Sequence, residues 1–282
     1  MSLDDSWFTE VDKVNNFAFS LKIKQKLHEE QSPYQKIEVY ETESFGNLLT
    51  LDGLTMLTDR DNFVYHEMMT HPILFTHPDP KQVVIIGGGD CGTLKEVLKH
   101  QAVEKAYQID IDERVTRISE QFFPDLCTAN NDPRANLLFE DGIKWMQNAL
   151  KNSVDVIIVD STDPIGPGEV LFSEQFYAQC RRVLKPDGLY VQQSESPLFQ
   201  LKLLKNMHKS LQASGFAVTH TFQFFQCTYP SGWWTGTLAG EGDLTKFRHE
   251  DAKNRAFPTR YYTPEIHSAS FVLPNFLLEA LA

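Results

Sequence analysis

At 282 residues, 41% hydrophobic and 23% charged, the chain has the make-up of a soluble globular protein with room for one large domain and a smaller one. Its net charge of −12, from 26 basic and 38 acidic residues, repels a phosphate backbone and excludes nucleic acid as the main partner. No apolar run approaches the ~20 residues of a membrane span, so no membrane partner is expected. Four cysteines without a C-x-x-C pair and an acidic start, Met1-Ser2-Leu3-Asp4-Asp5, point to a reducing cytoplasm.

Residues 1–60 read as a small antiparallel β domain. Residues 35–42 alternate, with Ile37 and Val39 on one face and Lys36, Glu38 and Tyr40 on the other. The runs 47–51 and 54–57 flank Asp52-Gly53, a strong hairpin signal. Residues 61–282 form the larger domain. Its first helix, within 59–75, is expected to end or kink at Pro72. Strand candidates at 82–86, 105–109, 136–139, 154–159 and 189–192 then alternate with helix candidates at 93–100, 113–123, 143–151 and 173–184. That alternation predicts a mostly parallel sheet covered by helices on both faces, an α/β fold. A long helix over 198–214 and two antiparallel strands, 218–225 and 233–239, follow. The polar stretch 240–255 reads as a surface loop before a last helix near 274–281.

Chemistry collects at the ends of the parallel strands, where open α/β sheets bind their ligands. After the first comes Gly87-Gly88-Gly89-Asp90-Cys91-Gly92, a G-x-G-x-x-G loop, and Asp110 ends the next strand, placed for a ribose. A nucleoside follows, but not a pyrophosphate. Asp90 inside the loop would face it at a cost of about 4 kcal/mol per charge pair at ~4 Å and an effective dielectric near 20. Asp141-Gly142 follows the third strand and offers an acceptor for an adenine amino group. Asp160 and Asp163 follow the fourth, ahead of Pro164-Ile165-Gly166-Pro167. Each Asp alone reads equally as a helix N-cap. Five at one sheet edge, with no Lys or Arg in 87–92, 110–112 or 160–169, describe an acidic pocket for cationic ligands.

Five segments carry a resemblance across nearly the whole chain. They are Tyr65-His66-Glu67-Met68-Met69, Gly87-Gly88-Gly89-Asp90, Asp160-Ser161-Thr162-Asp163-Pro164-Ile165-Gly166-Pro167, Thr228-Tyr229-Pro230-Ser231-Gly232 and Arg260-Tyr261-Tyr262-Thr263-Pro264. In their order and spacing the chain resembles the aminopropyltransferases, specifically the spermidine synthases. The resemblance implies a Rossmann-like, methyltransferase-type sheet with a small N-terminal β domain, and a homodimer. It implies transfer of an aminopropyl group from decarboxylated S-adenosylmethionine, a co-substrate, to putrescine, giving spermidine and 5′-methylthioadenosine.

By the same resemblance Asp160 takes the amine proton and Tyr65 helps hold the amine. Asp163, Tyr229 and Gln193 hold the diamine, and His66 and Asp90 the aminopropyl end. Gln35 and Asp110 take the ribose, Asp141 and Gly142 the adenine, and Pro167 packs near the nucleoside. The chain departs from the family pattern at Asp110, where Glu is usual, and at Cys91, where Gly is usual. Alternative readings are an aminopropyltransferase for cadaverine or agmatine, a diamine N-methyltransferase, or a polyamine-binding protein without turnover. No metal is expected. His66 and His71 resemble a zincin pair, but at five residues apart they stand roughly 140° from one another on a helix.

Overall fold

The computed structural model describes residues 3–162 and 166–282. Five strands, β1 (Trp7–Asp12), β2 (Phe17–Gln31), β3 (Lys36–Thr42), β4 (Asn47–Leu51) and β5 (Leu54–Thr58), form one antiparallel sheet in sequence order. Asp52 and Gly53, at φ 52° and 80°, make the two-residue turn that their pairing predicts, with Leu51 opposite Leu54. The alternation in β3 is only half right. Ile37 and Val39 pack with Val115 and Ile118, but Glu38 and Tyr40 are buried too. Lys26 and Lys36 close over Glu38 at 2.7 and 2.9 Å, and the Tyr40 hydroxyl donates to it at 2.9 Å.

α1 (Asn62–Thr76) leads into the second sheet. Of the two outcomes expected at Pro72, the end is absent: the helix runs four residues further. Every residue from Val64 to Phe75 is buried. Packing on all sides thus outweighs the missing amide bond, a loss of about 3 kcal/mol in an exposed helix.

Then follow β6 (Gln82–Gly87), α2 (Gly92–Leu98), β7 (Lys105–Asp110), α3 (Glu113–Phe122), β8 (Ala135–Phe139), α4 (Gly142–Asn148), β9 (Val154–Asp160), α5 (Glu174–Val183), β10 (Leu184–Gln193), α6 (Leu201–Ala213), β11 (Val218–Phe225) and β12 (Trp233–Gly240). The order across the sheet is β11-β12-β10-β9-β6-β7-β8, parallel from β8 to β10, with β12 antiparallel to both its neighbours. Alternation along each central strand divides the core. Val83, Ile85, Val156 and Ile158 face α1 and α2, while Val84, Ile86, Ile157 and Val159 face α5 and α6. This is the mostly parallel, methyltransferase-like α/β sheet expected.

The stretch 240–255 is not all loop. It contains α7 (His249–Lys253), and α8 (Pro264–Ser270) precedes α9 (Asn275–Leu281). Between α7 and α8 the backbone wraps a buried carboxylate of α1. Glu67 accepts the N–H groups of Arg260, Tyr261 and Tyr262, each at 2.8 Å. The tail therefore sets the position of the helix that carries Tyr65 and His66. Glu67→Gln turns an amide N–H₂ into that cradle of donors. It is expected to lose about 2 kcal/mol of stability, read by calorimetry as a fall in Tm of roughly 4–8 °C. An unchanged Tm would remove the cradle's structural role.

Candidate active site

The strand order reverses between β6 and β9, and the crevice opens at their carboxyl ends. Gly87, at φ 83°, lies so close to β9 that a Cβ would come within 2.2 Å of the Asp160 carbonyl oxygen. A Cβ on Gly92 would fall 2.2 Å from the His66 ring. The loop's glycines thus let β6 touch β9 and let His66 lie on the start of α2. Cys91 takes φ 69° with no exposure, so a small thiol fills the left-handed position that a glycine takes without strain.

Asp160, 9% exposed at the end of β9, is held by two hydroxyls. Tyr65 Oη donates to Oδ1 at 2.7 Å, and Thr93 Oγ1 donates to Oδ2 at 2.6 Å. Burial, then the charge of Asp90, push the Asp160 pKa upward against the pull of His66 and the two hydroxyls. Burial, then Asp160, push Tyr65 well above its ordinary value, so it stays a phenol and a donor. Beside them His66 Nε2 lies 3.1 Å from Asp90 Oδ1, which also accepts the Gly92 N–H at 2.7 Å. Burial opposes the imidazolium, yet Asp90 outweighs it and the His66 pKa rises. Asp90 therefore has, in His66, a partner that it draws toward the cationic form. Among the described residues, the donors to Asp160 are neutral hydroxyls.

A cavity of about 290 Å³ runs from this pair over Gly87–Asp90 to Gln35, Asp110, Asp141 and Gly142. Burial, with Asp112 and Asp90 adding to it, pushes Asp110 up to about 6, although the Asp112 N–H donates to its Oδ1 at 2.8 Å. Gln35 Nε2 donates to Asp112 at 3.0 Å, and Ser32 Oγ donates to the same carboxylate at 2.6 Å. Asp112 thus ties the β2–β3 turn to α3, which it also caps. Asp141 both lines the cavity and caps α4, accepting the Ile143 N–H at 2.9 Å.

A second cavity, about 40 Å³, adjoins the first. Tyr65, Ser161, Thr162, Tyr229, Leu54 and Met56 line both, while Glu10, Thr55, Gln193, Pro230 and Trp234 line only the smaller. Tyr229 has its hydroxyl donating to the Met56 carbonyl at 2.7 Å and its ring edge-on to Trp234. Among the described residues, no Lys or Arg lines either cavity. Asp163 lies outside the described residues, and Pro167 falls in the 3-10 turn Gly166–Phe172. His71 bonds to His100 and Glu96, apart from the His66–Asp90 pair. No group of three or more His, Cys, Asp or Glu able to hold a metal occurs among the described residues.

Sequence reasoning missed Glu10, Thr93 and Asp112. Glu10 carries no local motif and meets the site only through the fold. Thr93 is the second residue of α2, directly after the glycine loop, where a hydroxyl beside the strand-end carboxylates is a legible signal.

Residues 62–249 match the model of the spermine/spermidine synthase domain, and residues 6–59 that of the spermidine synthase tetramerisation domain. The chain is 62% identical over 275 residues to a polyamine aminopropyltransferase of Methylococcus capsulatus, covering 98% of this chain and 96% of that one. It is 58% identical over 283 residues to the polyamine aminopropyltransferase of Thioalkalivibrio sulfidiphilus, covering 100% and 99%. A crystal structure of spermidine synthase in complex with the transition-state analogue AdoDATO superposes with a TM-score of 0.95 at 38% identity, over 100% of this chain and 96% of the other. Spermidine synthase from Thermotoga maritima gives 0.93 at 39% identity, over 98% and 94%. The fold, the acidic crevice and these likenesses agree: the chain belongs to the spermine/spermidine synthase family and is a polyamine aminopropyltransferase.

Proposed function

We propose that the enzyme moves the aminopropyl group of decarboxylated S-adenosylmethionine to putrescine, releasing spermidine and 5′-methylthioadenosine. The observation that carries this reading is the Tyr65–Asp160 pair at the junction of a nucleoside-sized cavity and a much smaller one. In this reading Gln35 and Asp110 take the ribose, Asp141 and Gly142 the adenine, and Pro167 packs near it. His66 and Asp90 hold the aminopropyl end, and Asp163, Gln193 and Tyr229 the diamine. Glu10 adds a carboxylate to the smaller cavity.

The acceptor is an alkylamine with a free pKa near ~10, so it arrives as an ammonium. Asp160 takes one proton. The freed nitrogen lone pair then attacks the carbon beside the sulfonium, the C–S bond breaks, and the sulfur leaves as a neutral thioether. The raised pKa of Asp160 narrows its gap to the ammonium, and alignment of nitrogen, carbon and sulfur supplies much of the rate. Selection of the decarboxylated donor follows from charge: the carboxylate of the intact cofactor would meet Asp160 and an Asp90 already paired with His66, with no lysine or arginine in the described lining to receive it. The size of the second cavity favours a short diamine such as putrescine over agmatine. Cadaverine, one methylene longer, is the nearest competitor.

The compartment we propose is the cytoplasm, supported by the absence of disulfides at all four cysteines. We take the division at residue 60 as the domain boundary, since β5 ends at Thr58. The proposed assembly is a homodimer or a pair of dimers, the match of residues 6–59 to a tetramerisation domain being its support.

Asp160→Asn keeps the shape and the bond from Tyr65 but cannot take the proton. Turnover is expected to fall about 10²–10⁴-fold while methylthioadenosine affinity by calorimetry stays within about threefold; near-normal turnover would move the base elsewhere. A second expectation concerns pH. Burial pushes the Asp110 carboxyl up to about 6, above the ordinary carboxylate, and only its ionised form is a pure acceptor for ribose hydroxyls. The donor KM should therefore rise as pH falls from 7.5 through 6, and Asp110→Asn should abolish that part of the pH dependence. A donor KM in the native enzyme that is flat down to pH 5 would contradict the ribose role.

A further inference from the structure

One residue behind the smaller cavity is held at an evident conformational cost. β10 ends at Gln193, and two residues later Glu195 takes φ 64°, a left-handed conformation that glycine adopts freely and glutamate does not. Glu195 is also only 4% exposed. A long acidic side chain in a strained and buried place points to a need for that side chain.

The need is visible in Gln193. Its Nε2 donates to Glu195 Oε1 at 3.0 Å and to the Ser161 carbonyl at 3.3 Å, and its Oε1 accepts the Glu195 N–H at 3.2 Å. All three partners demand one orientation of the amide, because a carboxylate and a carbonyl only accept and a backbone N–H only donates. The flipped amide would set donor against donor and oxygen against two oxygens. Both amide hydrogens are thereby used within the wall. What Gln193 can offer a ligand is the second lone pair of its oxygen. The backbone on which this rests is pinned separately: Thr235 Oγ1 donates to the carbonyls of Ser194 and Glu195 at 3.0 and 2.7 Å, and the Ser194 N–H donates to the Thr235 carbonyl at 2.9 Å.

We propose that Glu195 is a positioning residue that fixes the Gln193 amide as a hydrogen-bond acceptor in the smaller cavity, and so selects an N–H donor, an alkyl diamine, as the second substrate. The inference rests on the reading of that cavity as the acceptor site. It separates two jobs that one Gln-x-Glu segment performs. Gln193 touches the substrate, and Glu195 decides which end of the amide the substrate meets.

The test is steady-state kinetics on four variants of the full-length enzyme, with melting temperatures alongside. Glu195→Gly accepts φ 64° without strain and removes only the side chain. It should raise the diamine KM about tenfold and leave the KM of the nucleoside donor within about twofold, with no loss of Tm. Glu195→Gln, whose amide oxygen can still accept from Gln193 Nε2, should return the diamine KM to within about threefold of the native value. Gln193→Met should raise the diamine KM as Glu195→Gly does, and combining the two should add nothing further. Should Glu195→Gly not fold, Glu195→Asp tolerates the same backbone, falls one methylene short of Gln193, and should give the same selective rise. A diamine KM unchanged in Glu195→Gly, both KM values rising together, or fully additive effects in the double variant would overturn the proposal while the native enzyme still turns over diamines. A native enzyme that aminopropylates no diamine would remove the acceptor reading, and this inference with it.

Discussion

The structure depends on a buried carboxylate that the protein leaves without a cation. Asp90 and Asp160 lie close enough for each to disfavour the other's charge, in a crevice whose described lining contains no lysine or arginine. The protein compensates one of them. His66 pairs with Asp90, and the Gly92 N–H adds a second bond. Asp160 receives only hydroxyls, from Tyr65 and Thr93, which orient it without cancelling its charge. The two carboxylates are thereby driven apart in proton affinity, Asp90 downward and Asp160 upward. The missing positive charge is left for a ligand to bring, which fits the sulfonium and ammonium proposed as substrates.

Much of the rest of the fold serves to hold that arrangement. Tyr65, His66 and Glu67 are consecutive on α1 and point roughly 100° apart, two toward the crevice and one into the C-terminal cradle. A rotation of α1 by about 10° would swing a phenol oxygen ~9 Å from the axis by about 1.5 Å, enough to break its bond to Asp160. The helix start is fixed as well. Asp61 accepts from Thr58 Oγ1 at 2.5 Å and from the N–H and hydroxyl of Thr228 at 3.1 and 2.9 Å, joining β5, α1 and the Tyr229 loop at one carboxylate. At the far end of the larger cavity Asp112 performs the corresponding task for Gln35.

The parts that could be read in the sequence are those governed by local rules. Alternating apolar runs placed β6 to β10, and the Asp52-Gly53 turn fixed the β4–β5 hairpin, because both signals lie within a few residues. The glycine loop and the Asp at each strand end were legible for the same reason. β1 and most of β2 were not, since β2 carries register shifts near Ile23–Gln25 and Lys26–His28 that break its period of two. α7 and α8 are five and seven residues long, too short to show a helical period. The helix does not end at Pro72 because burial of α1 on every side outweighs the local rule. Glu10, Glu67 and Glu195 could not be recognised because their partners come from tertiary contact or backbone conformation, the Glu67 cradle lying 193 to 195 residues away.

The central claim is that an acidic crevice with one uncompensated carboxylate moves an aminopropyl group between two cationic substrates. The most direct measurement is to incubate the purified enzyme with decarboxylated S-adenosylmethionine and equal amounts of putrescine, cadaverine and agmatine, and to identify the products by mass. The account predicts spermidine as the main product, formed in equal amount with 5′-methylthioadenosine. Methylated diamines, or methylthioadenosine released without any aminopropylated amine, would contradict it.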